Sequence, residues 1–172
     1  VSIVYFDGKP DEPLIRHGAL TAGFGARTRS GDKTGVEFAF GVTMYEKLKQ
    51  PILIIKTAWG GKDLYGDFRP PSAGPIFPDH SKVGPRKTNT GMMPPEERIA
   101  RAEKKQHFYY NAMVDHVNSV LADPGKYSPH YDKDAGYEIA GFAWFQGFND
   151  MLQSGMPYYK ASEDQPAFAY YT

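Results

Sequence analysis

Two short apolar runs, each closed by a glycine turn, stand out from the pattern of this chain. Pro51-Ile52-Leu53-Ile54-Ile55-Lys56-Thr57-Ala58 leads into Trp59-Gly60-Gly61-Lys62-Asp63. Ile139-Ala140-Gly141-Phe142-Ala143-Trp144-Phe145 leads into Gln146-Gly147-Phe148-Asn149-Asp150. Continuous apolar runs of this length, bounded by turn residues, predict strands covered on both faces, as in a parallel sheet. Val1 to Phe6 predicts another strand, ended by the turn signal Asp7-Gly8-Lys9-Pro10. Residues 7–34 are rich in Gly, Arg, Asp and Thr and read mostly as loop, with Leu20-Thr21-Ala22 a candidate short strand.

The helical period appears twice. Thr34-Gly35-Val36-Glu37 fits a capping box, the Thr34 hydroxyl accepting from the N–H of Glu37 while Glu37 reaches back. Val36, Phe40, Met44 and Leu48 then recur every four residues with Tyr45 beside them, predicting one apolar face, and Pro51 closes the helix. A longer helix is predicted from about Glu96 to Leu121. Pro94 and Pro95 suit its start, and Glu96 and Glu97 suit its positive end. Its first half is polar and is expected to project. Tyr110, Met113, Val114, Val117, Val120 and Leu121 in its second half are expected to pack on the sheet, and Asp123-Pro124-Gly125 stops it. Strand 52–57, helix 96–121 and strand 139–145 together predict a β-α-β unit. A right-handed crossover would put both glycine turns on one sheet edge, at the strand ends where open parallel sheets bind ligands. Residues 62–95 form a Pro/Gly-rich insertion loop, since Pro70 and Pro71 rule out regular helix there, and a loop this long is functional or disordered. The whole chain, 1–172, reads as a single, partial domain, and residues 151–172 show no period.

Composition narrows the classes. Lys+Arg and Asp+Glu number 20 each, so nothing points to nucleic acid or an acidic membrane surface as a partner. The absence of cysteine excludes disulfides, thiolate catalysis and cysteine zinc sites. No apolar stretch approaches the roughly 20 residues of a membrane span. The aromatic share of 15% serves core packing first and a sugar- or base-stacking surface second. Val1-Ser2-Ile3-Val4-Tyr5 reads as a strand entered midway, so the chain is expected to be cut from something longer.

The candidate chemistry lies in the turns. Gly60-Gly61 can present backbone N–H groups at a strand end, as an oxyanion hole requires, or can be a tight turn with no chemistry. A phosphate loop fails there, because Lys56 stands where a glycine is needed and Asp63 where Ser or Thr is needed. Gln146, Asn149 and Asp150 offer two amides and a carboxylate on one turn. A side-chain amide can donate to a developing oxyanion, while Asn149 and Asp150 can equally cap the following segment. Arg69 either shapes the site, contacts substrate, or pairs with an acid such as Asp67. The five histidines, His17, His80, His107, His116 and His130, show no metal-ligand spacing, so no metal is expected. Asp132-Lys133-Asp134 fails as a calcium loop, because its twelfth position falls on Ala143. No serine sits in a Gly-x-Ser-x-Gly elbow, and Ser72 beside Arg69 has no base tied to it.

Three segments in order, 51–64, 67–72 and 141–150, resemble the sialate O-acetylesterase-like carbohydrate acetylesterases of the SGNH hydrolase superfamily; the likeness spans roughly residues 35–150. The resemblance implies a flavodoxin-like three-layer α/β/α fold with a mainly parallel sheet, here incomplete. It implies a serine acyl-enzyme mechanism on acetylated carbohydrate, with no cofactor, and is compatible with a secreted or periplasmic setting. Gly61 matches the oxyanion-hole glycine, Asn149 the amide of the Gly-x-Asn-Asp block, and Gln146 the glutamine before that block in the acetylesterase branch. Phe148 stands where that branch commonly has an acid. Trp59, Gly60, Arg69 and Asp150 are the expected substrate-binding neighbours. The family's Gly-Asp-Ser or Gly-Gln-Ser turn and its Asp-x-x-His segment have no match, so nucleophile and base are unassigned. The expectation is a fragment carrying the oxyanion-hole middle of the domain, and the rival reading is a non-catalytic carbohydrate-binding or structural relative. A third reading is an unrelated α/β domain whose turns are only turns.

Overall fold

The computed structural model describes residues 1–9, 12–26 and 33–152. It is a mixed α/β chain of small sheets and helices. Two compact units are present, one of Val1–Gly60 with Ala112–Ala143, the other of Gly61–Asn111 with the segment from Trp144 on.

In the first unit β1 (Ser2–Lys9) is the central strand of three, in the order β2-β1-β3. It pairs antiparallel with β2 (Glu12–Ala19) from Ser2↔Ala19 to Lys9↔Glu12, and parallel with β3 (Leu53–Thr57) from Ser2↔Leu53 to Phe6↔Thr57. Ile3 and Val4 are fully buried, as expected of a strand paired on both sides and covered on both faces. The strand runs on through Asp7-Gly8-Lys9, where a turn was expected, and Pro10 lies outside the described residues. The β2 strand replaces much of the loop expected over residues 7–34, whose positions 27–32 also lie outside the described residues. Leu20-Thr21-Ala22 forms no strand. The largely exposed β2 carries Glu12, Pro13, Arg16 and His17, the charged and proline-bearing make-up of a protected sheet edge. Among the described residues one of the two pairings in this sheet is parallel and the other antiparallel, so they do not show the mainly parallel sheet expected from the sequence.

The helix α1 (Val36–Leu48) begins one residue later than the capping box requires, with Gly35 as N-cap and no side-chain cap. Glu37 reaches back to the Gly35 N–H at 3.1 Å, and its carboxylate also meets Lys56 Nζ at 2.9 Å. That ion pair and a close approach at Gly41 set the rotation of the helix. A Cβ at Gly41 would come within 2.5 Å of Leu20 and 2.8 Å of Ile54. Glu37 and Gly41 are therefore the buried positions, and the stripe expected to face the core points outward: Val36 is 62% exposed and Phe40 52%. On the sheet's other face, Val120 packs with Val4 and Tyr127, flanked by Leu53 and Ile55.

The second unit is organised around Ile76, Phe77 and Val83, backed by Tyr65, Ile99 and Ala102. Its long segment after Gly61 contains 3-10 turns at Pro71–Ala73 and His80–Lys82 and a small hairpin, β4 (Arg86–Thr88) with β5 (Gly91–Met93). The helix α2 (Pro95–Lys105) has Pro95 in its first turn and Glu96 and Glu97 at its positive end, as expected. The single helix expected over 96–121 is broken: α3 (Phe108–Leu121) follows after His107, whose φ is +68°. The side chains at the break are held elsewhere. Gln106 Oε1 accepts from the Ile76 N–H at 3.1 Å, and His107 Nδ1 lies 2.8 Å from the Arg69 carbonyl.

Residues 139–145 form no strand, so the expected β-α-β unit lacks its second strand. Ile139, Phe142 and Phe145 are 68%, 74% and 86% exposed. An apolar run becomes a strand only when a ladder satisfies its backbone, and β3 remains the outer strand of its sheet. The chain ends its described part in α4 (Phe148–Leu152). No helix among the described residues is long and apolar enough to cross a membrane.

Candidate functional site

The two glycine turns yield a joined pair of loops in the second unit. After Gly61, in the left-handed region with φ +72°, the backbone folds round Asp63. Its Oδ1 accepts from the N–H groups of Gly66 at 2.5 Å and Asp67 at 3.2 Å, while Asp67 Oδ2 accepts from the Asp63 N–H at 3.3 Å. This reciprocal Asp63–Asp67 turn satisfies the backbone locally, as aspartate does in turns. Burial, and then the nearby Asp67 and Asp150 charges, push the Asp63 carboxyl up against the opposing pull of the Gly66 N–H. Lys62 reaches over the Tyr109 ring at 4.4 Å and lies 3.9 Å from Asp67 Oδ1.

The second loop locks onto the first. Asp150 accepts from the N–H of Leu64 with both oxygens at 3.0 Å and from the N–H of Tyr65 at 3.1 Å. Gln146 Nε2 donates to Asp150 and, at 3.3 Å, to the Lys62 carbonyl. Asn149 Nδ2 donates to the same carbonyl at 3.0 Å. Segments more than 80 residues apart are thereby fastened at the peptide next to Gly61. The carboxylate of Asp150 makes the stronger, charge-assisted bonds and the amides add two neutral ones.

Comparison of the chain with protein-family models, with curated proteins and with solved structures found no match. Its chemistry has to be read from its own geometry.

Of the residues singled out from the sequence, Gly61, Gln146, Asn149 and Asp150 come together in this way. Gly61 is exposed, and nothing lies within 4 Å of where a Cβ would stand, so the turn opens to solvent. Asp150 ties the first loop's backbone, where substrate contact was expected of it. Trp59 and Gly60 belong to the first unit, where Trp59 packs edge-on to Phe6 at 5.5 Å. Of the alternatives for Arg69, an ion pair with Asp67 is not seen among the described residues. Its guanidinium clamps the loop instead, donating to Gly74 O at 2.7 Å, Ala73 O at 2.6 Å and Tyr65 O at 3.4 Å. Ser72 is exposed in its 3-10 turn. Among the described residues no group of three or more His, Cys, Asp or Glu is placed to hold a metal.

One feature escaped the sequence reading. Asp63 and Asp67 shape the first loop, and the Asp-x-x-Gly-Asp spacing around Gly66 was the available signal. His116 is a packing residue, buried to 4% exposure against Phe6 at 4.7 Å, with its Nε2 unpartnered among the described residues.

Proposed function

We propose that this chain carries the oxyanion-holding part of a carbohydrate O-acetylesterase of SGNH type, within a flavodoxin-like three-layer α/β/α domain. The observation that supports the reading most is the convergence of the Gly61–Lys62 turn and the Gln146–Asp150 block, with Asn149 Nδ2 3.0 Å from the Lys62 carbonyl. In this reading an acyl oxygen develops negative charge beside the Gly61 N–H and the second hydrogen of the Asn149 amide, and Gln146 fixes the orientation of the block. Neutral donors held in advance by backbone contacts stabilise such a charge without reorganising when it forms. The serine that attacks and the base that takes its proton are not assigned to residues of this chain.

A second reading is a non-catalytic carbohydrate-binding relative. It is favoured by one observation: the amides of Gln146 and Asn149 already donate to the Lys62 carbonyl, as structural caps would. Acetate release from an O-acetylated sugar, together with fluorophosphonate labelling, decides between them in the whole protein. The esterase reading expects acetate and one acylated serine. Sugar binding with neither acetate nor label establishes the second reading.

A further inference from the structure

The first unit holds a cavity of about 350 Å³ between the β1–β2 ladder and the turn that follows α3. His17 stands on one wall, held by the ladder in register opposite Val4. Lys126, Tyr127 and His130 stand on the other, in a stretch that closes on itself. There the N–H groups of Tyr127 and Ser128 donate to the Pro124 carbonyl at 3.0 and 2.9 Å, and the Tyr131 N–H donates to the Ser128 carbonyl at 3.1 Å. The two walls meet at the Tyr127 ring. The His17 ring lies edge-on to it at 5.2 Å, and Lys126 Nζ lies 5.3 Å from its centroid.

Tyr127 is 7% exposed and packs with Val4 and Val120 in the core. Its hydroxyl nevertheless makes no hydrogen bond among the described residues and is not sealed from solvent. A buried phenol usually finds a partner for its hydroxyl, and the cavity is where this one can take it. His17, Lys126 and His130 are exposed on the cavity wall and make no ion pair or side-chain hydrogen bond among the described residues. No described Asp or Glu lines the cavity. All four groups can donate: the ammonium through three N–H bonds, each imidazole through at least one, the phenol through its O–H. Donors gathered without a carboxylate select an anion. Lysine and histidine are point donors and lack the planar arginine fork that matches the flat edge of a carboxylate. A phosphate monoester offers three acceptor oxygens and close to two charges, and so uses separate donors more fully. A cavity of this size suits a small molecule better than a bare ion, and Ala19 and Pro129 line it for an organic part.

We propose that this cavity binds a small organic phosphate monoester, its phosphate held by His17, Lys126, His130 and the Tyr127 hydroxyl. The site lies wholly within the first unit and does not depend on the acetylesterase reading.

The test is calorimetric titration of the full chain with phenyl phosphate. Benzoate and phenol serve as the carboxylate and neutral counterparts, and inorganic phosphate as a competitor. Phenyl phosphate should bind, benzoate should bind at least about tenfold more weakly, phenol should not bind, and inorganic phosphate should displace the ester. Lys126→Met, and separately His17→Gln with His130→Gln, should each weaken binding about tenfold, the scale of losing charge-assisted hydrogen bonds. Tyr127→Phe keeps the ring in the core and removes only the hydroxyl. It should weaken binding about fivefold, the scale of one net hydrogen bond, with an unchanged melting temperature. No binding of phenyl phosphate, equal binding of benzoate or phenol, failure of inorganic phosphate to displace the ester, or an affinity unchanged in all three variants would each overturn the proposal.

Discussion

His116 sits in α3 with its ring stacked on Phe6, and its Nε2 has no hydrogen-bond partner among the described residues. Burial lowers its pKa from 6.5 to about 4, because the imidazolium would lose its hydration without gaining a partner. The unfolded chain therefore binds a proton below pH 6.5 that the native state refuses until about pH 4. Stability carried by the neutral ring is fully present above pH 6.5 and declines as pH falls through this window. At about 1.4 kcal/mol per pH unit, the shift corresponds to about 3 kcal/mol lost by the low end. The perturbation is His116→Leu, which keeps the apolar contact with Phe6 and removes both the titration and the orphaned nitrogen. Urea unfolding of the two proteins, followed by tryptophan fluorescence from about pH 7 to about pH 4, measures the difference. Near neutrality the variant should be more stable by about 1 kcal/mol, the scale of relieving one unsatisfied buried group. Carboxylate titrations are common to both proteins and drop out of the comparison. The variant's advantage should therefore widen by about 3 kcal/mol across the acid window. Parallel stability profiles would refute the reasoning, since they would mean that the ring is hydrated or paired in the native state.

Lys56→Met leaves the Glu37 carboxylate buried without its cation, and chemical denaturation should show a loss of about 3 kcal/mol. Adding Glu37→Leu should recover most of it, and a double variant no more stable than the single one would contradict the account of how α1 is seated. Phe145→Ser removes a ring that is 86% exposed. Light scattering should show less aggregation with an unchanged melting temperature, and a large drop in that temperature would mean that the ring is packed.

The parts of this chain that were legible in the sequence depend on neighbours in the sequence. Ile3 and Val4 in β1, the apolar run of β3 and the proline start of α2 all carry local signals strong enough to survive folding. The meeting of the Gly61 turn with the Gln146–Asp150 block was expected through a β-α-β unit that does not form, and it comes instead from Gln146, Asn149 and Asp150 bonding to the backbone of residues 62–65. What was not legible depends on partners far away. The rotation of α1 follows from Glu37 meeting Lys56, nineteen positions on, and from the close approach at Gly41, which the four-residue apolar period cannot reveal. The break in the long helix follows from Gln106 and His107 bonding to the loop around residues 69–76. β2 has no clean alternation and exists because β1 offers it a ladder. Residues 139–145 have the composition of a strand but pair with no strand among the described residues, so propensity alone did not decide them.

The central claim is that Asn149 faces a developing oxyanion beside Gly61, and replacing it by alanine tests this most directly. The substitution removes one partly buried bond to the Lys62 carbonyl, so stability should fall by only about 1 kcal/mol. The kcat for acetate release from an O-acetylated sugar should fall about 100- to 1000-fold with KM little changed. A kcat equal to that of the unsubstituted protein would contradict the claim and leave Asn149 as a cap of the Lys62 carbonyl and nothing more.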